Sequence, residues 1–143
     1  MDNKTLQSSV RNYILSLLKE DPETKNGVSM VTGGGPDFSL NGCPVYVRTG
    51  RWNKDKIQFR GPKTKDISVF ICVGLTIADI TSLEKGLDYF NPTVWVFPSV
   101  TLPCVFWLNK EKLSGNSRNG FYRIKSIKDT PIELRKIVLK ILD

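Results

Sequence analysis

Asp37, Tyr46 and Arg48 are the residues whose types and spacing could act on an anionic ligand. Asp37 follows a proline, and Tyr46 and Arg48 are two positions apart, so they share one face if this stretch is a strand. A carboxylate is the hard oxygen ligand that Mg²⁺ prefers, and a guanidinium can hold a phosphate with two parallel hydrogen bonds. The three residues therefore predict a site that binds phosphate.

A tight turn at Asn41-Gly42 is expected to bring these residues together. Asn-Gly between strand-forming residues is the strongest short-range hairpin signal, because both central positions of a type I′ turn need positive φ. The turn predicts two short strands, with Asp37 at the start of the first and close to Tyr46 and Arg48 on the second.

Six predicted elements contain this hairpin in the order helix, strand, strand, strand, helix, strand. Apolar residues at three- and four-residue spacing predict the first helix, and an almost continuous apolar run predicts a central strand buried on both faces. The elements are a helix at 6–20, strands at 37–40, 45–49 and 67–75, a helix at 76–90 and a strand at 93–97. Further predicted elements are short strands at 28–31, 100–108 and 120–125, an extension of the sheet at 57–60, and a helix at 131–142.

Pro36-Asp37, followed by a strand with key positions two residues apart, resembles the signature of the PD-(D/E)XK phosphodiesterases, the restriction-endonuclease-like superfamily. Tyr46-Val47-Arg48 stands where that family carries Glu-x-Lys or Asp-x-Lys, so the second acid is missing. The predicted order of elements is that superfamily's αβββαβ core. The resemblance implies an α/β (α+β) fold with a mixed central sheet flanked by helices, and with a C-terminal strand and helix added.

The family chemistry places one or two Mg²⁺ ions between acidic side chains and the scissile phosphate, where the metal activates water. Asp37 is the matching metal ligand, and a tyrosine hydroxyl at Tyr46 is a poor substitute for the missing acid. Arg48 can hold a phosphate but cannot become neutral and act as a base. The first helix of the family often adds an acid; the residue here is Gln7, which we interpret as a surface amide. The three motif positions therefore predict a degenerate catalytic site, with Mg²⁺ as cofactor only if the site is active and no cofactor otherwise.

Basic residues are concentrated in two stretches of a chain whose formal net charge is +7. Residues 48–65 hold seven lysines and arginines against one acid, and residues 110–128 hold six against one. Such clusters predict nucleic acid as partner, with DNA favoured over RNA, although solvated loop cations are the alternative. Trp52 is interpreted either as a stacking platform for a base or as a cover for the core edge. The predicted nucleic-acid-binding residues are Arg48, Arg51, Trp52, Lys54, Lys56, Arg60, Lys63, Lys65, Arg118 and Arg123.

Composition excludes several kinds of site. The chain has no histidine, which excludes Ser-His and Cys-His nucleophile systems and imidazole bases within it. Cys43, Cys72 and Cys104 are widely spaced, which indicates reduced, semi-buried thiols and neither disulfides nor a zinc site. The 143 residues fit a single domain, 1–143, with no membrane-spanning run and no secretory signal, so we expect a cytoplasmic, intracellular protein that does not bind membranes.

Three functions are consistent with these patterns. The first is a nuclease-like fold without catalysis that binds nucleic acid through backbone phosphate. The second is a Mg²⁺-dependent endonuclease in which Asp55, Asp66 or Asp79 supplies the second acid, and for which cutting both strands suggests a homodimer. The third is a protein-interaction subunit with basic loops that recognise an acidic partner and with aromatic residues on its surface, namely Phe106, Trp107, Phe121 and Tyr122.

Overall fold

The computed structural model describes residues 2–31, 33, 35–61, 67–86, 89–98, 105–109 and 122–142. The helices in this part of the chain are α1 (Asn3–Glu20), α2 (Ile77–Lys85) and α3 (Thr130–Leu142), the last preceded by a 3₁₀ turn at Ile127–Asp129. The strands are β1 (Val28–Met30), β2 (Phe38–Leu40), β3 (Cys43–Arg51), β4 (Lys56–Arg60), β5 (Val69–Leu75), β6 (Thr93–Pro98), β7 (Val105–Asn109) and β8 (Tyr122–Ile124).

A mixed sheet forms the centre of the fold, with the strand order β1-β2-β3-β5-β6-β8. β3 and β5 run parallel, and every other neighbouring pair in this sheet is antiparallel. The predicted mixed sheet is therefore confirmed, and α1, β2, β3, β5, α2 and β6 follow each other in the predicted order. The chain is an α+β protein in which the Asn41-Gly42 hairpin lies beside the parallel pair.

The hairpin turn has the backbone geometry that its sequence predicts. Asn41 and Gly42 have φ angles of 51° and 82°, which are the positive values required by a type I′ turn. The two strands differ in length, because β2 pairs with β3 only from Phe38 opposite Val45 to Leu40 opposite Cys43. β3 continues to Arg51 beside β5, so its backbone beyond Val45 extends past Phe38, the first residue of β2.

Helices cover one face of the central sheet. Apolar side chains of α1 and α3 are buried against β3, β5 and β6, and partly buried residues of α2 pack against the same cluster. α1 begins earlier than predicted, because Asp2 caps it by accepting a hydrogen bond from the Thr5 N–H at 2.7 Å. Within the described part of the chain, none of the helices combines the length and apolar character that crossing a membrane requires.

A second, two-stranded sheet covers the opposite face. β4 and β7 pair antiparallel, and their inward side chains Ile57, Phe59 and Leu108 pack on the central sheet. The central sheet contributes a cluster of aromatic and small residues to this contact: Tyr46, Phe70, Cys72, Trp95 and Phe97. The prediction that residues 57–60 extend the central sheet is wrong, because β2 and β5 already occupy both sides of β3. Among the described residues, the helices that flank the central sheet lie on one face, and β4–β7 covers the other.

Trp52 covers the edge of this cluster between the central sheet and β4–β7, which we call the second cluster. Its ring centroid lies 5.9 Å from that of Trp95, and its backbone N–H donates to the Leu75 carbonyl at 3.2 Å. A Cβ at Gly74 would lie 3.2 Å from the Trp52 Nε1 and 3.2 Å from Trp95, so glycine allows both rings to approach β5. Packing thus explains the position of Trp52, which covers the core edge as its second interpretation proposes.

Candidate functional site

Asp37 lies just before β2, and its side chain turns toward β3. Its Oδ2 accepts a hydrogen bond from the Val47 N–H at 2.7 Å, and its own N–H donates to the Val45 carbonyl at 2.9 Å. The Val47 N–H lies beyond Phe38, the first residue of β2, where no described strand pairs with it. A backbone donor in such a position needs another partner. The carboxylate of Asp37 therefore takes the place of the missing strand.

Two arginines from different elements approach the same carboxylate. Arg48 of β3 places Nη1 3.7 Å from Oδ2, and Arg11 of α1 places Nη1 3.9 Å from Oδ1. The side chain of Asp37 is 13% exposed, whereas 34% of the Arg11 side chain and 33% of the Arg48 side chain are exposed. One carboxylate beside two guanidiniums gives this cluster a net positive charge.

The side chain of Arg48 is held by further contacts. Its Nη1 donates to the Val47 carbonyl at 3.1 Å, and its Cζ lies 5.3 Å from the Tyr46 ring centroid and 5.4 Å from that of Phe70. These two rings stack with centroids 4.6 Å apart, and Tyr46 is buried. Tyr46 therefore contributes a packing surface under Arg48, with the cation above the aromatic faces.

Gln7 of α1 supports the backbone of β3 beyond Val47. Its Oε1 accepts hydrogen bonds from the Thr49 N–H at 3.1 Å and from the Thr49 hydroxyl at 2.9 Å, and its Nε2 donates to the Val47 carbonyl. The interpretation of Gln7 as a surface amide is therefore wrong. Arg11 was not predicted as a site residue, although its position four residues after Gln7 places both on one side of α1.

Replacing Gln7 by alanine is expected to lower the free energy of unfolding by about 1–3 kcal/mol, because partly buried backbone groups of β3 lose their partner. Urea unfolding followed by circular dichroism measures this loss. Gln58→Ala is the matched control, since Gln58 is exposed on β4, and should change the value by less than about 0.5 kcal/mol. Equal losses in the two variants would contradict the role of Gln7.

The residues around Asp37 do not fit the magnesium site that the family resemblance implies. Mg²⁺ usually takes one or two carboxylates together with water and phosphate oxygens. The neighbours of Asp37 are instead two guanidiniums, with the neutral amide of Gln7 bound to the adjacent backbone. No group of three or more His, Cys, Asp or Glu residues that could hold a metal occurs in the described part of the chain.

The acids considered as a second metal ligand lie elsewhere or outside the described residues. The Asp79 carboxylate accepts hydrogen bonds from the N–H and hydroxyl of Thr76, both at 2.9 Å, as the capping box of α2. Thr76 follows Ile71, the register partner of Val47, by five residues, or roughly 16 Å along the sheet. Asp55 lies in the exposed turn before β4, and Asp66 is outside the described residues.

The described cations of the predicted nucleic-acid-binding set lie mainly around β4. Asn53 and Lys56 exchange backbone hydrogen bonds of 2.9 and 3.1 Å across the turn, in which Lys54 has a φ of 57°. Lys54, Lys56 and Arg60 are exposed, and Arg51 is exposed at the end of β3. Lys63, Lys65, Arg118 and the side chain of Arg123 lie outside the described residues.

Cys43 and Cys72 are free thiols, as predicted, but they are buried and not semi-buried. Cys104 lies outside the described residues. Burial raises the pKa of both thiols. At Cys72 the rise is large, and the positive charge of Arg48 opposes it. A thiol that burial keeps protonated is a poor nucleophile, so neither cysteine is a candidate for catalysis.

Stability is expected to fall as the pH rises above about 8.5, where cysteine ionises in the unfolded chain while Cys72 in the folded chain keeps its proton. The unfolded state then binds fewer protons, so this thiol contributes a fall of up to about 1.4 kcal/mol per pH unit. Urea unfolding at about pH 8 and about pH 10 measures the difference. The fall should be smaller in Cys72→Ala; the same fall in both proteins would contradict the burial of this thiol.

Comparison of the chain with protein-family models, with curated proteins and with solved structures found no match in any of the three. The fold and the site by themselves define an α+β protein with a mixed sheet. In this sheet, a salt-bridged aspartate and a helical glutamine hold the strand that carries Arg48.

Proposed function

We propose that this chain is a nucleic-acid-binding protein with a restriction-endonuclease-like αβββαβ core, in which the aspartate of a former metal site now supports the sheet. The motif residues Pro36-Asp37 and Tyr46-Val47-Arg48 support the relation to that superfamily. The order of α1, β2, β3, β5, α2 and β6 supports it independently of the motif, because β5, α2 and β6 contain none of the motif residues.

The surroundings of Asp37 are the observation that carries the proposal. Its carboxylate accepts the Val47 N–H and faces the guanidiniums of Arg11 and Arg48. A divalent cation bound here would be repelled by both arginines, whereas a phosphate would be attracted by the net positive charge. The site therefore favours holding a phosphate over positioning a metal to cut it.

Basic residues on the same side of the molecule supply further phosphate contacts. Tyr46 and Arg48 lie on the sheet face that β4 and β7 cover, so the exposed cations of β4 belong to the same side of the molecule. Lysine and arginine that neutralise phosphates release counterions from the nucleic acid, which gives affinity that depends steeply on salt. We call Lys54, Lys56 and Arg60 the basic face.

The alternative of a Mg²⁺-dependent endonuclease requires a second acid beside Asp37. The hydrogen bonds of Asp79 commit it to the start of α2, and Asp55 lies in a turn between two lysines. The repulsion expected from Arg11 and Arg48 applies to this alternative whichever acid is recruited. We therefore rank it second.

Fluorescence anisotropy with labelled DNA and RNA, single-stranded and duplex, tests the proposed function. The expected result is binding at about 50 mM salt that weakens strongly at about 200 mM salt, by roughly 40-fold if three phosphates of a DNA duplex are contacted. Absence of binding to every probe at the lower salt concentration would overturn the proposal. That outcome would instead favour a protein-interaction subunit with an acidic partner.

A further inference from the structure

The outer face of the β4–β7 sheet carries a tryptophan that the core does not use. Trp107 is 55% exposed, while its neighbour Leu108 is 5% exposed and packs into the second cluster. Trp107 lies directly opposite Gln58 in the strand register. β4 alternates buried and exposed residues, and its exposed side chains are Lys56, Gln58 and Arg60. Trp107 therefore shares its face with two cations and an amide.

The register places these cations on both sides of the indole. Residues directly opposite each other in an antiparallel pair have Cβ atoms about 5 Å apart, and residues two positions apart are about 7 Å apart along a strand. Lys56 and Arg60 therefore flank the Gln58–Trp107 pair at about 7 Å on either side. Next to Trp107 is an open pocket of about 420 Å³, lined on its other sides by polar residues of mixed charge from the turn and the start of β4: Asn53, Lys54, Asp55 and Lys56.

We propose that this face binds single-stranded nucleic acid, with an unpaired base stacked on Trp107 and the adjacent phosphates held by Lys56 and Arg60. This binding mode rests on the proposed function and names its substrate class. Any of the bases can stack on an exposed aromatic side chain, because every base has an aromatic face. Cations around the aromatic residue bind the phosphates of the nucleic-acid backbone. Gln58 places an amide, which is both donor and acceptor, beside the stacked base.

The composition of the face favours this ligand over a protein and over a duplex. The buried centre of a protein interface is depleted in charge, whereas Trp107 is surrounded by Lys56, Arg60 and Gln58, whose desolvation would be costly. A duplex keeps its bases stacked on each other, so it offers the indole no free base surface, whereas a single strand does.

Anisotropy titrations with three labelled probes test this binding mode. The probes are an oligothymidylate of about 12 nucleotides, an abasic strand of the same length and a duplex of the same length. Trp107→Ala is expected to weaken binding of the oligothymidylate about tenfold, and of the abasic strand and the duplex by less than about twofold. Trp107→Phe should retain most of the affinity, because phenylalanine also stacks. Tyr89→Ala, which removes an aromatic side chain that is 59% exposed elsewhere, should leave all three affinities unchanged.

The outcomes separate this inference from the proposed function. Suppose that the unaltered protein binds the probes, but that Trp107→Ala either leaves the oligothymidylate affinity unchanged or lowers all three affinities equally. Base stacking on Trp107 is then wrong, and the proposed phosphate binding stands. If no probe binds at about 50 mM salt, both are wrong. Selective loss of oligothymidylate binding, recovered in Trp107→Phe, supports both.

Discussion

Asp37→Ala is expected to lower the free energy of unfolding by about 2–3 kcal/mol at neutral pH without added metal. The substitution leaves the Val47 N–H without its acceptor and removes the counter-charge of Arg11 and Arg48. A hydrogen bond to a charged group and two ion contacts are thus lost at a side chain that is only 13% exposed. Urea unfolding followed by circular dichroism measures the change.

Two further variants separate the parts of this effect. Asp37→Asn retains an oxygen that can accept the Val47 N–H and should lose only about 1 kcal/mol. Glu20→Ala removes an exposed carboxylate at the end of α1 and should change stability by less than about 0.5 kcal/mol. A metal-binding acid behaves differently, because removing it often leaves stability unchanged or increases it. An Asp37→Ala protein as stable as the unaltered chain would therefore contradict the structural role of this carboxylate.

Replacing all three residues of the basic face, as Lys54→Ala/Lys56→Ala/Arg60→Ala, is expected to weaken nucleic-acid binding about a hundredfold at about 50 mM salt. This estimate takes roughly 1 kcal/mol for each exposed ion contact. The slope of log affinity against log salt should also fall by about 3, since each lost phosphate contact lowers it by about 1. Anisotropy titrations over a range of salt concentrations measure both quantities.

The matched control removes three exposed lysines from other parts of the surface, in Lys19→Ala/Lys25→Ala/Lys140→Ala. It changes the net charge by the same amount, so it corrects for long-range attraction between a basic protein and a polyanion. We expect the control to weaken binding by less than about threefold. Equal losses in the two triple variants would show that net charge, and no particular face, is responsible for the affinity.

The hairpin and the central strand are predictable because their determinants are local. Asn41-Gly42 fixes the turn through the φ angles that these two residues tolerate. The apolar run that becomes β5 is buried along its whole length, as a strand covered on both faces must be. The same local argument places Asp37 near Arg48, and this proximity is confirmed by their ion pair.

The pairing of β4 with β7 could not be predicted from local patterns. β4 alternates buried and exposed residues, which indicates a strand but not its partner, and that partner lies about fifty residues further along the chain. The exposure of Trp107 follows from this register, since an aromatic strand residue is by itself more typical of a core.

The roles of Gln7 and Arg11 depend on a difference in length between two strands. Because β3 continues past the first residue of β2, the Val47 carbonyl and the Thr49 N–H are left for Gln7 to bind, and the Val47 N–H is left for Asp37, whose carboxylate Arg11 then faces. No local pattern in the sequence encodes where a neighbouring strand stops. The position of Gln7 on α1 is visible in the sequence, but its hydrogen bonds to β3 are not.

Gel electrophoresis of supercoiled plasmid mixed with the protein and Mg²⁺ or Mn²⁺ is the most direct test of the central claim that the Asp37 site holds phosphate without cutting it. We expect plasmid bands that migrate more slowly with protein bound and return to the uncut, supercoiled position once the protein is removed. Nicked or linear plasmid that depends on the metal and disappears in Asp37→Asn would contradict this claim.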